Sequence, residues 1–288
     1  MITQHEPVLL KEVVEELHIK NQGRPAERRG KYIDATLGAG GYTKAILEAG
    51  GEVLGIDTDT SMLNIAKENL GEGNFKLVNG NFRDIKKIAE ENGFNEVDGI
   101  VFDLGVSNVH FMDETRGFSF KNPEADLDMR LDFKSQALRA SDLLNALRRE
   151  QLQEILGRSL ANKIIEFRED KKFEKVKDFL ELFPEKKFGD RVHPATKAFM
   201  ALRVAVNSEL DNLRETLPQA YELLKPASPN RGEPGGRLAV VSFNSDEDRI
   251  VKEFAKSKGD VGKITRPSTD EVNRNPKSRS AILRVIIK

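Results

Sequence analysis

The sequence predicts an α/β fold: a parallel sheet with helices on both faces, interrupted by an inserted helical subdomain. Three observations predict it. Apolar runs of strand length alternate with helix-period segments from Tyr32 to Leu104, an order that brings successive strands together in parallel. The run ending at Asp34 passes into a glycine-rich turn, Gly38-Ala-Gly-Gly41, ahead of a helix-forming segment. Between Asn122 and His193 strand-like runs disappear and charged, amphipathic helical spacing takes over.

The elements follow from period and breakers. Strands are expected at Tyr32–Ala35, Val53–Asp57, Phe75–Val78 and Gly99–Leu104, and helices between them at Thr43–Ala49, Thr60–Leu70 and Asp84–Asn92. The insert carries helical spacing at Ser141–Leu144, Gln151–Leu156, Ala161–Arg168 and Val176–Phe183. After Pro194 the core pattern resumes with a helix through Asn207–Leu224, then Pro226 and a Pro/Gly-rich connection to Gly236. Strand Arg237–Phe243, helix Asp246–Lys256 and a last strand Ala281–Ile287 complete the sheet. The expected division is a core over residues 1–121 and 194–288, with the helical substrate-recognition insert at 122–193.

Composition narrows the function classes. The 288 residues, 38% of them hydrophobic, suffice for one large domain or a core with an insert. No apolar run approaches the length of a membrane span and the start of the chain carries early acids, so a cytoplasmic protein is expected. With no cysteine and four scattered histidines there is neither a disulfide framework nor a ligand-spaced zinc set, and metal-independent chemistry is expected. The net charge of −1 conceals an uneven distribution: Lys256–Lys288 holds nine Lys or Arg against three acids. That tail suits a phosphate-facing surface, or equally a solvated face at the end of the fold.

The glycine turn narrows the ligand. Glycine at positions 38, 40 and 41 permits positive φ or close backbone approach, and the following helix presents unpaired N–H groups, although structural glycines alone account for the turn almost as well. Asp57 lies 19 residues beyond Gly38, near the spacing of roughly 20 at which such folds place an acid on ribose hydroxyls. Dinucleotides and S-adenosylmethionine both fit this much. The dinucleotide fingerprint wants Gly or Ala in its sixth place, where this chain has Thr43, and has no use for the charge of Asp34. An acid at Asp34 suits the ammonium of a methionyl group, so S-adenosylmethionine is the expected cofactor. A nucleotide-dependent oxidoreductase stays open from fold alone, with Thr43 and the lack of a second nucleotide-binding half against it.

Longer motifs carry a resemblance. They are His5-Glu-Pro-Val-Leu-Leu-Lys-Glu-Val-Val, Asp34–Thr43, Asp98-Gly-Ile-Val-Phe-Asp-Leu-Gly-Val-Ser107, Arg116-Gly-Phe-Ser-Phe120 and Leu127-Asp-Met-Arg130. His193-Pro-Ala-Thr-Lys197, Ala201–Leu210, Gly235-Gly-Arg-Leu, Glu247-Asp-Arg-Ile-Val-Lys252 and Asn275-Pro-Lys-Ser-Arg-Ser-Ala281 continue the series. In this order and over nearly its whole length the chain closely resembles the RsmH (MraW) family of bacterial methyltransferases that act on cytosine N4 of small-subunit ribosomal RNA. The resemblance implies a class I, Rossmann-like methyltransferase sheet. It also implies N4-methylation of one cytidine, conventional position 1402, in the decoding region of 16S rRNA in the small ribosomal subunit. The family's S-adenosylmethionine contacts fall on Gly40, Gly41, Tyr42, Asp57, Phe82, Asp103 and His110. A homodimer is compatible with it.

The chain departs from the family in places. Ser242-Phe-Asn-Ser-Asp-Glu-Asp248 has Asn244 and Asp246 where the family has histidine and leucine, and Asn122–Asp126 replaces the usual Asp-Gly-Pro. A catalytically weakened RNA-binding assembly factor is therefore the alternative, supported by Asn244 and opposed by intact Gly40, Gly41, Asp57 and Asp103.

Methyl transfer to an exocyclic amine needs in-line positioning and acceptors for the amine hydrogens, because the nitrogen lone pair is delocalised into the ring. Asp103, or the carbonyls just after it, is the expected catalytic acceptor; the plain reading is that Asp103 caps the next segment or holds only the cofactor. Arg116, Arg130, His193, Lys197 and Arg203 are the expected RNA contacts, and Phe118 and Phe120 are candidates to hold the displaced base. Each phenylalanine suits a buried core as well. Arg130 suits a salt bridge to Asp128 or Asp132, and His193 a helix start.

Overall fold

The computed structural model describes residues 7–19, 29–105, 115–132, 136–185, 193–228, 230, 234–259 and 263–288. It divides into two compact units: residues Met1–Gly105 with Leu210–Lys288, and residues Val106–Glu209. Among the described residues no helix is long and apolar enough to cross a membrane.

The first unit is built on a seven-stranded sheet of order β3-β2-β1-β4-β5-β7-β6. Its strands are β1 (Lys31–Asp34), β2 (Glu52–Asp57), β3 (Phe75–Asn79), β4 (Gly99–Asp103), β5 (Arg237–Ser242), β6 (Lys263–Thr265) and β7 (Ile282–Ile287). The first five pair in parallel, and β7 runs antiparallel between β5 and β6. Parallel strands are covered on both faces, so their apolar residues are near-continuous and alternate between two cores. Ile33, Leu54, Ile100, Phe102 and Val240 face one core, with Ile85 and Ile88 of α4 (Ile85–Glu91), Leu213 and Leu217 of α10 (Glu209–Leu223), and Ile250 and Val251 of α11 (Ser245–Ser257). Tyr32, Val53, Val101 and Val241 face the other, with Val13 of α1 (Leu10–Glu16) and Tyr42 and Ile46 of α2 (Gly41–Glu48). Helix α3 (Thr60–Leu70) starts where Asp59 accepts from the Ser61 N–H at 2.8 Å, a side-chain cap that satisfies a free donor.

The second unit is helical, as its charged amphipathic spacing predicts. It comprises α5 (Ala140–Ala146), α6 (Arg149–Leu156), α7 (Arg158–Asp170), α8 (Val176–Leu180) and α9 (Thr196–Val206) around its own core. A chain of phenylalanines fills that core: Phe167 stacks on Phe173 at 4.5 Å, and Phe179 meets Phe173, Phe183 and Phe199 at 6.3, 5.3 and 5.3 Å.

This unit is wider than the 122–193 insert expected from sequence. Helix α9 belongs to it because Ala198, Phe199, Leu202 and Val206 are buried with Leu144, Leu152 and Phe179. The expected continuous helix through Asn207–Leu224 breaks at its start. There the Asn207 amide donates to the Met129 carbonyl at 2.8 Å and accepts from the Leu131 N–H at 2.9 Å, while Ser208 turns left-handed at φ 51°. Three further elements carried no sequence signal: α1, the three-residue β6, and α12 (Thr269–Arg274), which Ser268 caps.

Candidate active site

Three adjacent strands of the first unit, β2, β1 and β4, end in Asp57, Asp34 and Asp103. The row lies at the carboxyl ends of parallel strands, across the point where strand order reverses between β1 and β4. Open α/β sheets bind their ligands there.

Each acid is held differently. Asp34 is fully buried and clasps the glycine turn: it accepts from the Thr43 hydroxyl at 2.7 Å, the Thr43 N–H at 3.2 Å and the Thr36 N–H at 3.4 Å. Burial pushes its carboxyl up to about 6 against the opposing effect of those bonds. The Asp34 carboxylate is thus engaged by the turn and buried beneath it. It shapes the loop. Asp57 accepts from the Gly38 N–H and the Asp59 N–H, both at 2.8 Å, which fixes both its oxygens at the turn.

Asp103 contrasts with both. Its backbone N–H donates to the Thr36 hydroxyl at 2.6 Å, but its Oδ1 is buried without a hydrogen-bond partner among the described residues. Burial first, then the neighbouring Asp34 and Glu247 carboxylates, push its pKa up to about 8. Glu247 is itself buried in the first turn of α11, where its Oε2 accepts from the Phe243 N–H at 2.8 Å.

The turn places the expected glycines at distinct tasks. Gly40 is the left-handed cap of α2 at φ 85°, a conformation that penalises any Cβ. A Cβ on Gly41 would lie 2.3 Å from the Pro7 ring, so the N-terminal segment itself requires glycine here. The same segment takes the Tyr42 side chain, which is buried and donates its hydroxyl to the Val8 carbonyl. Burial and then the nearby Asp103 and Asp34 hold that hydroxyl well above its usual pKa. Any contact of Tyr42 with a cofactor thus falls to its backbone. Phe82 is half-buried just beyond β3, edge-on to Phe102 at 5.8 Å. His110 lies outside the described residues.

The expected RNA contacts lie in the second unit, and the structure commits most of them internally. Arg130 forms a bidentate pair with Asp128 at 2.7 and 2.8 Å and donates to the Gln136 carbonyl at 2.7 Å. Arg203 forms another with Glu209, both bonds 2.9 Å, and is buried. Arg116, also buried, donates to the Arg130 and Leu131 carbonyls and lies over the Phe118 ring at 5.5 Å. In each case the guanidinium meets acceptors inside the protein and braces the fold, and for Arg130 the partner is Asp128, the pair that the sequence also suggested. His193 accepts from the Ala195 N–H at 3.1 Å through Nδ1, the helix-start geometry that the following proline suggested. Lys197 is exposed. Sequence reasoning left Thr36, Thr43 and Glu247 without these tasks; the one signal available was threonine at the sixth place of the glycine turn.

Comparison with known proteins gives the family. The description "MraW methylase family" matches residues 2–288. The chain belongs to that family. "Ribosomal RNA small subunit methyltransferase H" of Dictyoglomus thermophilum is 41% identical over 98% of the chain and 95% of the relative. The protein of that name from Coprothermobacter proteolyticus is 38% identical over 99% and 96%, and that from Methylacidiphilum infernorum 38% over 100% and 95%. This methylase is accordingly an S-adenosylmethionine-dependent enzyme. Its residues fit that cofactor. The unpartnered Asp103 oxygen suits a cationic ligand, Asp57 a diol, and Phe82 a flat ring.

The family departure at Asn244 has a structural account. Asn244 caps α11, its side-chain oxygen accepting from the Asp246 and Glu247 N–H groups at 3.0 and 2.9 Å, and Asp246 pairs with Arg249 at 2.8 Å.

Proposed function

We propose that this methylase transfers a methyl group to N4 of one cytidine, conventional position 1402, in the decoding region of 16S rRNA within the small ribosomal subunit. The observation that carries the reading is the Asp103 oxygen, buried at the end of β4 without a partner among the described residues. When bound, S-adenosylmethionine supplies an electrophilic methyl on a cationic sulfur that departs as a neutral thioether. Asp103 and Asp57 would hold that group. A cation beside Asp103 favours its ionised form, and the carboxylate would then accept a hydrogen bond from the amine and take up the proton that N4 gives up as it gains the methyl group. Phe82 and the α2 N-terminus complete the cofactor cradle, and Lys197 offers an RNA phosphate its charge. The relatives' shared name and the long family motifs support an rRNA substrate and hence a cytoplasmic site of action.

The test is mass spectrometry of digested 16S RNA after unmodified 30S particles are incubated with the protein and methyl-labelled S-adenosylmethionine. Label on N4 of a single cytidine is expected. Label on another atom or another RNA would replace this substrate, and cofactor binding without transfer would refute the activity.

A further inference from the structure

The second unit contains a cavity of about 160 Å³ lined by Phe118, Phe120, Phe199, Met129, Met200 and Arg203, among others. At about 30 Å³ per water the space corresponds to roughly five waters, the scale of one flat ring system and well short of a nucleotide cofactor. Its lining is mainly aromatic and sulfur-bearing, the surfaces on which bases stack. Phe120 lies edge-on to Phe199 at 5.5 Å and tilted against His193 at 4.6 Å, so three rings extend the platform. Thr196, Met200 and Arg203 recur at helical spacing and turn one face of α9 to the cavity. Met200 is 42% exposed, so the cavity reaches solvent. Lys197, exposed on α9 three residues before Met200, is a cation within one helical turn of that residue, and no acid is among the lining residues.

We propose that this cavity is a nucleobase subsite, in which one unpaired base of the RNA substrate, other than the methylated one, stacks against Phe120 and Phe199 with Lys197 at its phosphate. The proposal rests on the RNA reading above. All the lining residues belong to the second unit, whereas the strand-end acids that serve the methyl donor belong to the first. A protein partner would bring an apolar side chain but no reason for the flanking lysine; a nucleotide brings both a flat ring and a negative charge.

Methionine methyl groups provide the test. Met129 and Met200 line the cavity, whereas Met62 is buried in the first unit. The full chain, labelled with 13C at its methionine methyls, is titrated with adenosine, guanosine, cytidine and uridine 5′-monophosphates. At least one nucleotide should shift the Met129 and Met200 signals upfield in a saturable manner and leave Met62 in place. In parallel, Met200→Trp, which fills the mouth of the cavity, should raise KM for RNA about tenfold with kcat and the KM for S-adenosylmethionine unchanged. Four nucleotides that leave the pair unmoved, or that move Met62 equally, would overturn the subsite. So would a folded Met200→Trp protein with wild-type KM for RNA. Loss of the RNA reading itself would register as absent methyl transfer by the wild-type protein, an outcome independent of the mononucleotide shifts.

Discussion

Asp34, Asp57 and Asp103 are the same side chain at the same kind of strand end, and their surroundings give them three different tasks. Asp34 is consumed by Thr43 and Thr36, and Asp57 orders the turn through two backbone N–H groups. Asp103 keeps its proton to about pH 8, since burial and the Asp34 and Glu247 charges disfavour ionisation. Binding a cation beside it lowers that value and therefore expels a proton between the lowered pKa and about 8, and none above. The affinity for S-adenosylmethionine should rise toward pH 8 by up to tenfold per unit and then level off. Calorimetry at pH 7 in buffers of different ionisation enthalpy should register release of about one proton; Asp103→Asn should abolish that release and slow methyl transfer about 100-fold or more. The folded-state value lies above the unfolded 3.8, so the fold retains a proton that the unfolded chain has lost, and stability declines as pH rises between those values. Asp103→Asn removes this decline. The variant should melt higher than the wild type at pH 9, with the difference shrinking toward pH 5, and unchanged affinity, rate and melting across pH would remove Asp103 from the mechanism.

At the scale of elements, the helix caps explain what family comparison alone leaves ambiguous. Asn244 satisfies two N–H groups at the start of α11, the helix that also carries Glu247 next to Asp103. Asn244→Ala should cost about 1 kcal/mol of stability, read as a lower denaturation midpoint, while kcat per folded molecule stays within about twofold. A collapse of kcat at unchanged stability would give Asn244 a chemical part that capping does not supply. The same element illustrates how far the sequence was legible. Its start, the strand before it and the alternation of β1 to β4 were readable because buried parallel strands and amphipathic helices impose strong periods. Strand β6 has three residues, too few to show a period, and the reversal of β7 is a matter of long-range pairing between Arg237 and Ile287. At the site, residue types showed where charge would collect and not which charges would be spent. Arg130 beside Asp128 could be read as a pair from the sequence, whereas Arg203 with Glu209, and Arg116 with the Arg130 and Leu131 carbonyls, meet only in the folded unit.

The same distinction between charge present and charge available governs the whole molecule. A net charge of −1 would make a poor polyanion binder if spread evenly, but Lys256–Lys288 carries nine basic residues against three acids. Not all of that excess faces solvent. Arg284 is buried on β7 and bonded to both oxygens of Asp248 at 2.7 and 3.0 Å, whereas Arg266 and Arg279 are exposed. Neutralising a cation that meets a phosphate reduces the slope of log affinity against log salt by about 0.7–0.9, whereas breaking a buried ion pair costs about 3–5 kcal/mol of stability. The double variant Arg266→Ala/Arg279→Ala should therefore bind 16S RNA with a salt slope shallower by about 1.4–1.8 at unchanged melting temperature. Arg284→Ala should instead lower the melting temperature and, where still folded, keep the wild-type slope. Filter binding across a salt series with thermal melts separates the two. An unchanged slope in the double variant would make the basic tail a solvated face, leaving RNA affinity to cations such as Lys197 in the helical unit.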